Sequence, residues 1–228
     1  MKIFITGFQR SGTTLTRRLI HNHPEVKFIA HELRLMKYCK SKEKVYELLE
    51  KNGFEAKEEE NWGEKVPWSH EDLRIIYFCE RWNEMFSKEK PRIIHVIRNP
   101  VSVGISNVNF GWCEDIDFSI KVWKSTVYPV LEYMDYIKNG MTFVYEDLLL
   151  NPRIVLKEIF SFCGLKHNKQ IINKICKLDK NQLIEFKSIE KSRAFSYVPE
   201  NKFGKYDHLL QTYKQTIDKY LIGNIDWV

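Results

Sequence analysis

Two short stretches place cations, hydroxyls and glycines at spacings suited to gripping anions. In the first, Gly7 and Gly12 bracket Phe8-Gln9-Arg10-Ser11, and Thr13-Thr14-Leu15 follow. The apolar run Ile3-Phe4-Ile5 precedes it, and Leu15 and Leu19 stand one helical turn apart after it. Strand, glycine-bounded turn and helix together aim backbone N–H groups and a helix N-terminus at one anion. Arg10 adds a planar guanidinium, which can take anionic oxygens in a fork. In the second stretch, Arg98 ends the run Arg92-Ile93-Ile94-His95-Val96-Ile97, and Ser106 stands eight residues beyond it. An arginine at a strand's carboxyl end and a serine two helical turns on can hold the same phosphate. A third group, His31-Glu32, closes the stretch Val26–Ala30 and supplies two candidate proton acceptors.

The elements that must position these groups follow from periodicity. Strands are expected at Ile3–Ile5, Val26–Ala30, Arg92–Ile97 and Met141–Tyr145, with the first turn occupying Gly7 to Gly12. Helices are expected from Thr13 to about Asn22, around Leu35–Tyr38, over Lys42–Lys51, and from Ser69, as N-cap, to about Phe86. Further helices open at Pro100, run over Asp117–Tyr136 with a kink at Pro129, and start at Asn151-Pro152, which reads as a cap. Gly63-Glu64-Lys65-Val66-Pro67-Trp68 receives no regular element. Near the end, helices are expected at His167–Leu178, Asn181–Phe186 and Asp207–Leu221, with Ser192–Gly204 irregular. Alternating strands and helices imply an α/β fold: one domain over residues 1–228, a central parallel sheet with helices on both faces, and ligands at the strands' carboxyl ends.

Composition narrows the function. The 228 residues carry a formal charge of +6. That excess suits a polyanionic small molecule and is too weak and dispersed for nucleic acid. Five cysteines, none spaced as CxxC, read as reduced thiols in a cytoplasmic protein. No apolar run approaches a membrane span, and a first strand starting at Lys2 leaves no room for a signal peptide. No cluster of Asp, Glu and His suggests a metal requirement.

The first stretch is similar to a Walker A loop, except that Thr13 stands where the lysine would be. Losing that lysine disfavours a nucleoside triphosphate and leaves a cradle for a smaller dianionic group. More closely, Gly7-Phe8-Gln9-Arg10-Ser11-Gly12-Thr13-Thr14-Leu15 resembles the 5′-phosphosulfate loop of the sulfotransferase family, in the form of its tyrosylprotein, carbohydrate and bacterial branches. Arg92 to Pro100 with Ser106 resembles the family's 3′-phosphate motif. Tyr145-Glu146-Asp147-Leu148 followed by Asn151-Pro152 resembles a third.

The resemblance implies a three-layer P-loop-type fold and a donor, 3′-phosphoadenosine-5′-phosphosulfate (PAPS), which leaves as 3′-phosphoadenosine 5′-phosphate (PAP). It implies donor contacts from Arg10, Ser11, Gly12, Thr13, Thr14, Leu15, Arg98 and Ser106, with Tyr145 near the adenine. Phe203-Gly204-Lys205-Tyr206 resembles the family's C-terminal element, so Lys205, with Arg193 and Lys202, becomes a candidate for the 3′-phosphate. Glu32 is the implied general base and Arg34 an acceptor contact, and His31 remains a rival base. Lys65, before Val66-Pro67, is the implied second cation on the transferring group beside Arg10. The acceptor is then a hydroxyl on a carbohydrate or small metabolite, with a peptide tyrosine also open. A P-loop kinase of a nucleotide or sugar, and a non-catalytic nucleotide-binding protein, are the competing readings.

Overall fold

The computed structural model describes residues 1–69, 74–178 and 203–223. Five parallel strands form one sheet in the order β2-β3-β1-β4-β5: β1 Lys2–Phe8, β2 Lys27–Phe28, β3 Trp62–Trp68, β4 Arg92–Ile97 and β5 Gly140–Val144. Every residue of β1 is buried, which a central parallel strand covered on both faces requires. Its side chains alternate between two cores. Phe4 and Phe8 join Trp62, Trp68, Ile93 and Ile97 on one face. Ile3 and Ile5 join Ile94, Val96 and Phe143 on the other.

The helices supply the outer layers. The first core also takes Val45 and Leu49 of α3 (Lys42–Lys51), Phe78 and Trp82 of α4 (Ile75–Met85), and Trp123 and Val127 of α6 (Ile116–Tyr136). The second takes Leu15 and Leu19 of α1 (Thr13–His21), Val155 and Ile159 of α8 (Pro152–Phe162), and Ile172 and Ile175 of α9 (Lys169–Leu178). Between these lie α2 (Leu35–Tyr38), α5 (Pro100–Asn109) and α7 (Tyr145–Leu150), and α10 (Phe203–Ile217) closes the described chain. The architecture is the expected three-layer α/β fold. β3 and β4 pair on opposite sides of β1, so the crevice opens above the carboxyl ends of β1 and its neighbours.

Several expectations need correction. Gly7 lies inside β1, paired with Pro67 and Val96, and not in the turn; a side chain there would meet Val96 O at 2.6 Å, which is why the strand carries a glycine. Trp62–Trp68 is an interior strand despite Pro67. Ile29 N donates to Gly63 O while Gln9 N donates to Trp68 O, so alternate residues of β3 face β2 and β1. Pro67 faces the β2 side, where β2 covers only Trp62 and Gly63, so no ladder donor is missed. α4 begins at Ile75, not after Ser69; residues 70–73 fall outside the described part. Val26–Ala30 contributes only two paired residues, and Tyr145 begins a helix instead of ending β5. Asn151 does not cap α8 with its side chain, which donates to Asp147 Oδ1 at 2.9 Å. The last helix begins at Phe203; the helix expected at Asn181–Phe186, and residues 192–202, lie outside the described residues.

The closing helix is tied down by tyrosines seven residues apart. Tyr206 OH donates to Asp117 Oδ1 at 2.9 Å, and Tyr213 OH to Glu146 Oε2 at 3.2 Å. Tyr220, in the 3₁₀ turn after α10, bonds Asp135 Oδ1 at 3.0 Å. Ile222 N and Gly223 N then donate to Asp147 Oδ2 at 2.7 and 2.8 Å.

Candidate active site

A cavity of about 300 Å³ opens at the carboxyl ends of β1, β3, β4 and β5. Gln9, Arg10, Gly12, Thr13, Thr14, Leu15, Arg18, Glu32, Lys65, Pro67, Arg98, Trp112 and Tyr145 line it. Its floor is the first turn. Gly12 holds φ 94 at the N-cap of α1, where no side chain caps the helix. The first-turn N–H groups are therefore left for a ligand. A Cβ at Gly12 would sit 2.0 Å from Tyr145 Cδ2, so the loop lies flat on that ring.

Two polar clusters occupy this cavity. At one end Lys65 Nζ pairs with Glu32 Oε1 and donates to Thr14 Oγ1 at 3.2 Å. Glu32 is carried by the turn before α2, and two sets of contacts fix that turn. Arg17 donates to Ile29 O at 3.0 Å and Ala30 O at 2.8 Å. Glu64, fully buried on β3, accepts Leu35 N at 3.2 and 3.1 Å. Burial pushes the Glu64 carboxyl up to about 8, against the pull of these backbone N–H groups.

At the other end Arg10, itself at φ 69, reaches α5 and donates Nε to Ser106 Oγ at 2.8 Å. Arg98 donates to Arg10 O at 2.9 Å and lies 4.7 Å from the centre of the Tyr145 ring. Burial and then the neighbouring Arg98 lower the Arg10 pKa. Beneath Arg98, Asn99 caps α5 through Val101 N at 2.8 Å, and its own N–H reaches buried Glu146 Oε1 at 2.9 Å. Burial raises the Glu146 pKa, and Arg98 opposes that rise.

The expected site residues therefore largely converge. Arg10, Gly12, Thr13, Thr14, Leu15, Glu32, Lys65, Arg98 and Tyr145 line one cavity, and Ser106 joins it through Arg10. Ser11 is buried and does not line it. His31 is exposed and Arg34 half-buried at the start of α2, and neither lines the cavity. The side chain of Lys205 lies outside the described residues, as do Arg193 and Lys202. The Arg10 guanidinium meets Ser106 of α5. Gln9, Arg18, Pro67 and Trp112 line the cavity without having been singled out, and only their nearness in sequence to the two motifs could have flagged them.

A sequence model described as the sulfotransferase domain matches residues 1–220. The chain belongs to the sulfotransferase family. Members of that family take their sulfuryl group from PAPS. Solved structures share the fold of this sulfotransferase. The sulfotransferase domain from the curacin biosynthetic pathway is 19% identical, over 74% of this chain and 75% of that one, with a TM-score of 0.57. Mouse sulfotransferase SULT7A1, solved in complex with PAP, is 14% identical over 95% and 85%, with a TM-score of 0.59. Sulfotransferase STF9 from Mycobacterium avium is 11% identical over 98% and 78%, with a TM-score of 0.56. No curated protein matches the chain in sequence.

The residues present fit such a donor. Ser11 Oγ and Arg98 Nε are buried without a hydrogen-bond partner, and two guanidinium-bearing residues adjoin at the loop. An anion would satisfy both needs. The cavity volume falls in the usual range for small-molecule sites. Among the described residues, no three His, Cys, Asp or Glu side chains converge as metal ligands, and no helix is long and apolar enough to cross a membrane. Cys39, Cys79, Cys113 and Cys163 are free thiols.

Proposed function

We propose that this sulfotransferase, acting as one domain over residues 1–228, moves a sulfuryl group from PAPS to a hydroxyl of a carbohydrate or small metabolite, with a peptide tyrosine as the second acceptor class. The observation that carries the reading is one cavity holding a capless helix N-terminus, three arginines and a Lys–Glu pair. PAPS supplies an electrophilic sulfuryl group on a phosphate leaving group. The loop N–H groups, Thr13 and Thr14 hold its 5′ end, and Arg98 with Ser106 holds the 3′-phosphate. Tyr145 packs beside the nucleoside. Glu32 takes the proton of the acceptor hydroxyl as that oxygen bonds to sulfur. Lys65 faces the same place and offsets charge that develops on the departing oxygen. That Glu32 lines the cavity and pairs with Lys65, while His31 does not line it, supports Glu32 as the base. An odd number of cysteines with none spaced as CxxC favours a cytoplasmic setting.

The test is incubation with sulfur-labelled PAPS and acceptor pools of sugars, small alcohols and tyrosine peptides. Label should enter one pool, and Glu32→Gln should lower kcat by about 10²–10⁴-fold while PAP still binds. Tight PAP binding with no transfer to any pool would favour a nucleotide-binding protein, and full activity in Glu32→Gln would remove Glu32 as the base.

A further inference from the structure

Glu64 stands where an apolar side chain would be cheaper to bury. On β3 it alternates with Trp62, Val66 and Trp68, which pack in the first core, and it is fully buried on their face of the strand. A carboxyl is costly there unless it is hydrogen-bonded. Both of its oxygens meet one turn: Leu35 N donates to Oε1 at 3.2 Å and to Oε2 at 3.1 Å. Burial raises the Glu64 pKa; the N–H groups of Leu35, Arg34 and Leu33 oppose that rise, and Glu32 adds to it. Arg34 holds φ 52, a left-handed conformation disfavoured for a residue with a side chain. Such a residue turns successive N–H groups toward one acceptor, here the Glu64 carboxyl.

The same turn carries Glu32. Its entry from β2 is held by Arg17, through Ile29 O and Ala30 O, and its exit by Glu64. Lys65, the next residue of β3, points to the opposite face, pairs with Glu32 and donates to Thr14 Oγ1 at 3.2 Å. Adjacent residues of one strand therefore hold the turn's backbone and meet its carboxylate. We infer that Glu64 is a positioning residue for sulfuryl transfer: by fixing the amides that follow Glu32, it sets where the proposed base stands against Lys65 and Thr14. The inference rests on the reading of Glu32 given above.

The sheet explains why such a tie is needed. Phe4 pairs with Glu64 and Ile5 with Lys65, and β1 runs on into the loop that ends at Thr13-Thr14. Loop, Lys65 and Glu64 thus share one hydrogen-bonded backbone, whereas Glu32 lies between β2 and α2, outside any regular element. A base must stand within hydrogen-bond reach of the acceptor hydroxyl, and a displacement of about 1 Å can cost about 100-fold in rate. Leu35 is fully buried in the first core, so α2 stays packed when the carboxyl is removed, and the loss falls on the amides before it. The donor contacts proposed above stand on the first loop, β4 and α5, away from this turn.

The experiment uses the full chain and measures kcat with sulfur-labelled PAPS and the acceptor pool that takes label, beside PAP affinity by calorimetric titration. Glu64→Ala should lower kcat by about 10- to 100-fold and change the PAP dissociation constant by less than about 3-fold. Glu64→Gln keeps a side-chain oxygen for Leu35 N and should stay within about 3-fold of the wild type in both. In a Glu32→Gln background, Glu64→Ala should cost less than about 2-fold more, because its effect passes through Glu32. An unchanged kcat in Glu64→Ala, equal losses of kcat and PAP affinity, or the same loss with and without Glu32 would overturn the inference. Should Glu64→Ala not fold, Glu64→Asp carries the test: its carboxyl stops one methylene short of Leu35 N, so kcat should fall by about 10-fold with PAP binding kept, and an unchanged kcat would overturn the inference. If Glu32→Gln is itself fully active, the reading of the base fails and the inference with it; if Glu32→Gln is slow and Glu64→Ala is not, only the inference fails.

Discussion

Replacing Gly12 by alanine tests the cradle most directly. The residue sits at φ +94, where an L-residue is strained by about 1–2 kcal/mol. Its new Cβ would stand 2.0 Å from Tyr145 Cδ2 and 2.3 Å from Cε2, inside any tolerable contact. Tyr145 is buried, so the clash must be relieved by moving the loop or the ring, at about 1–3 kcal/mol for an overpacked site. The sum is roughly 2–5 kcal/mol, or a fall in Tm of roughly 4–20 °C for a chain of this size. Gly53→Ala is the internal control. It shares a positive φ of +71 but has nothing within 4 Å, so it should show the backbone part alone, roughly 2–8 °C. Thermal unfolding by circular dichroism gives both shifts, and titration with PAP should show binding lost in Gly12→Ala and kept in Gly53→Ala. Equal shifts in Tm with PAP binding intact in both would refute the idea that loop and ring are in mutual contact.

Other perturbations separate the two ends of the site. Arg98→Ala should weaken PAP by about 10- to 100-fold with an unchanged far-ultraviolet spectrum, and unaltered affinity would count against its phosphate role. Lys65→Ala should lower kcat far more than it raises the PAP dissociation constant, because it removes the cation beside Glu32; a pure binding defect would contradict its placement. Stability should also depend on pH through Glu64. Its carboxyl rises from 4.5 to about 8 on folding, so the folded state binds the extra proton and stability falls as pH climbs through that window. Buried His95, pushed from 6.5 down to about 3, acts in the opposite sense and costs stability as pH falls through its own window. Urea unfolding at pH 5.5 and 8 should show the wild type losing roughly 2–3 kcal/mol more than Glu64→Gln does, and parallel losses would show that Glu64 is not the group responsible.

The two anion motifs were legible because both are local. Each combines an apolar strand with a turn whose residues act through their own backbone or the next helix, so spacing alone suffices. The bounds of α3 were equally plain, since Ser41 caps it and Gly53 follows it at positive φ. β3 was missed because Glu64, Lys65 and Pro67 break any period-two pattern. Its neighbours bury it and its outer edge excuses the proline, which are facts about the sheet and not about the segment. Asn151 looked like a cap, and the acceptor that diverts it, Asp147, is a tertiary tie to the chain's end. The direction of Arg10 was illegible because a side chain's destination depends on what surrounds it, and Ser106 and Phe110 lie about a hundred residues away in sequence.

The clasp of three tyrosines bears on the order in which the protein matures. Glu146, under the carboxyl end of β4, has one of its oxygens satisfied by Tyr213, a residue synthesised long after the loop, the strand and the carboxylate themselves. A nascent chain halted before α10 would own the loop, Arg98, Ser106 and Tyr145 yet carry a buried carboxylate short of a donor beside Arg98. Competence to hold the nucleotide should therefore arrive late and abruptly on the ribosome, when the last helix docks.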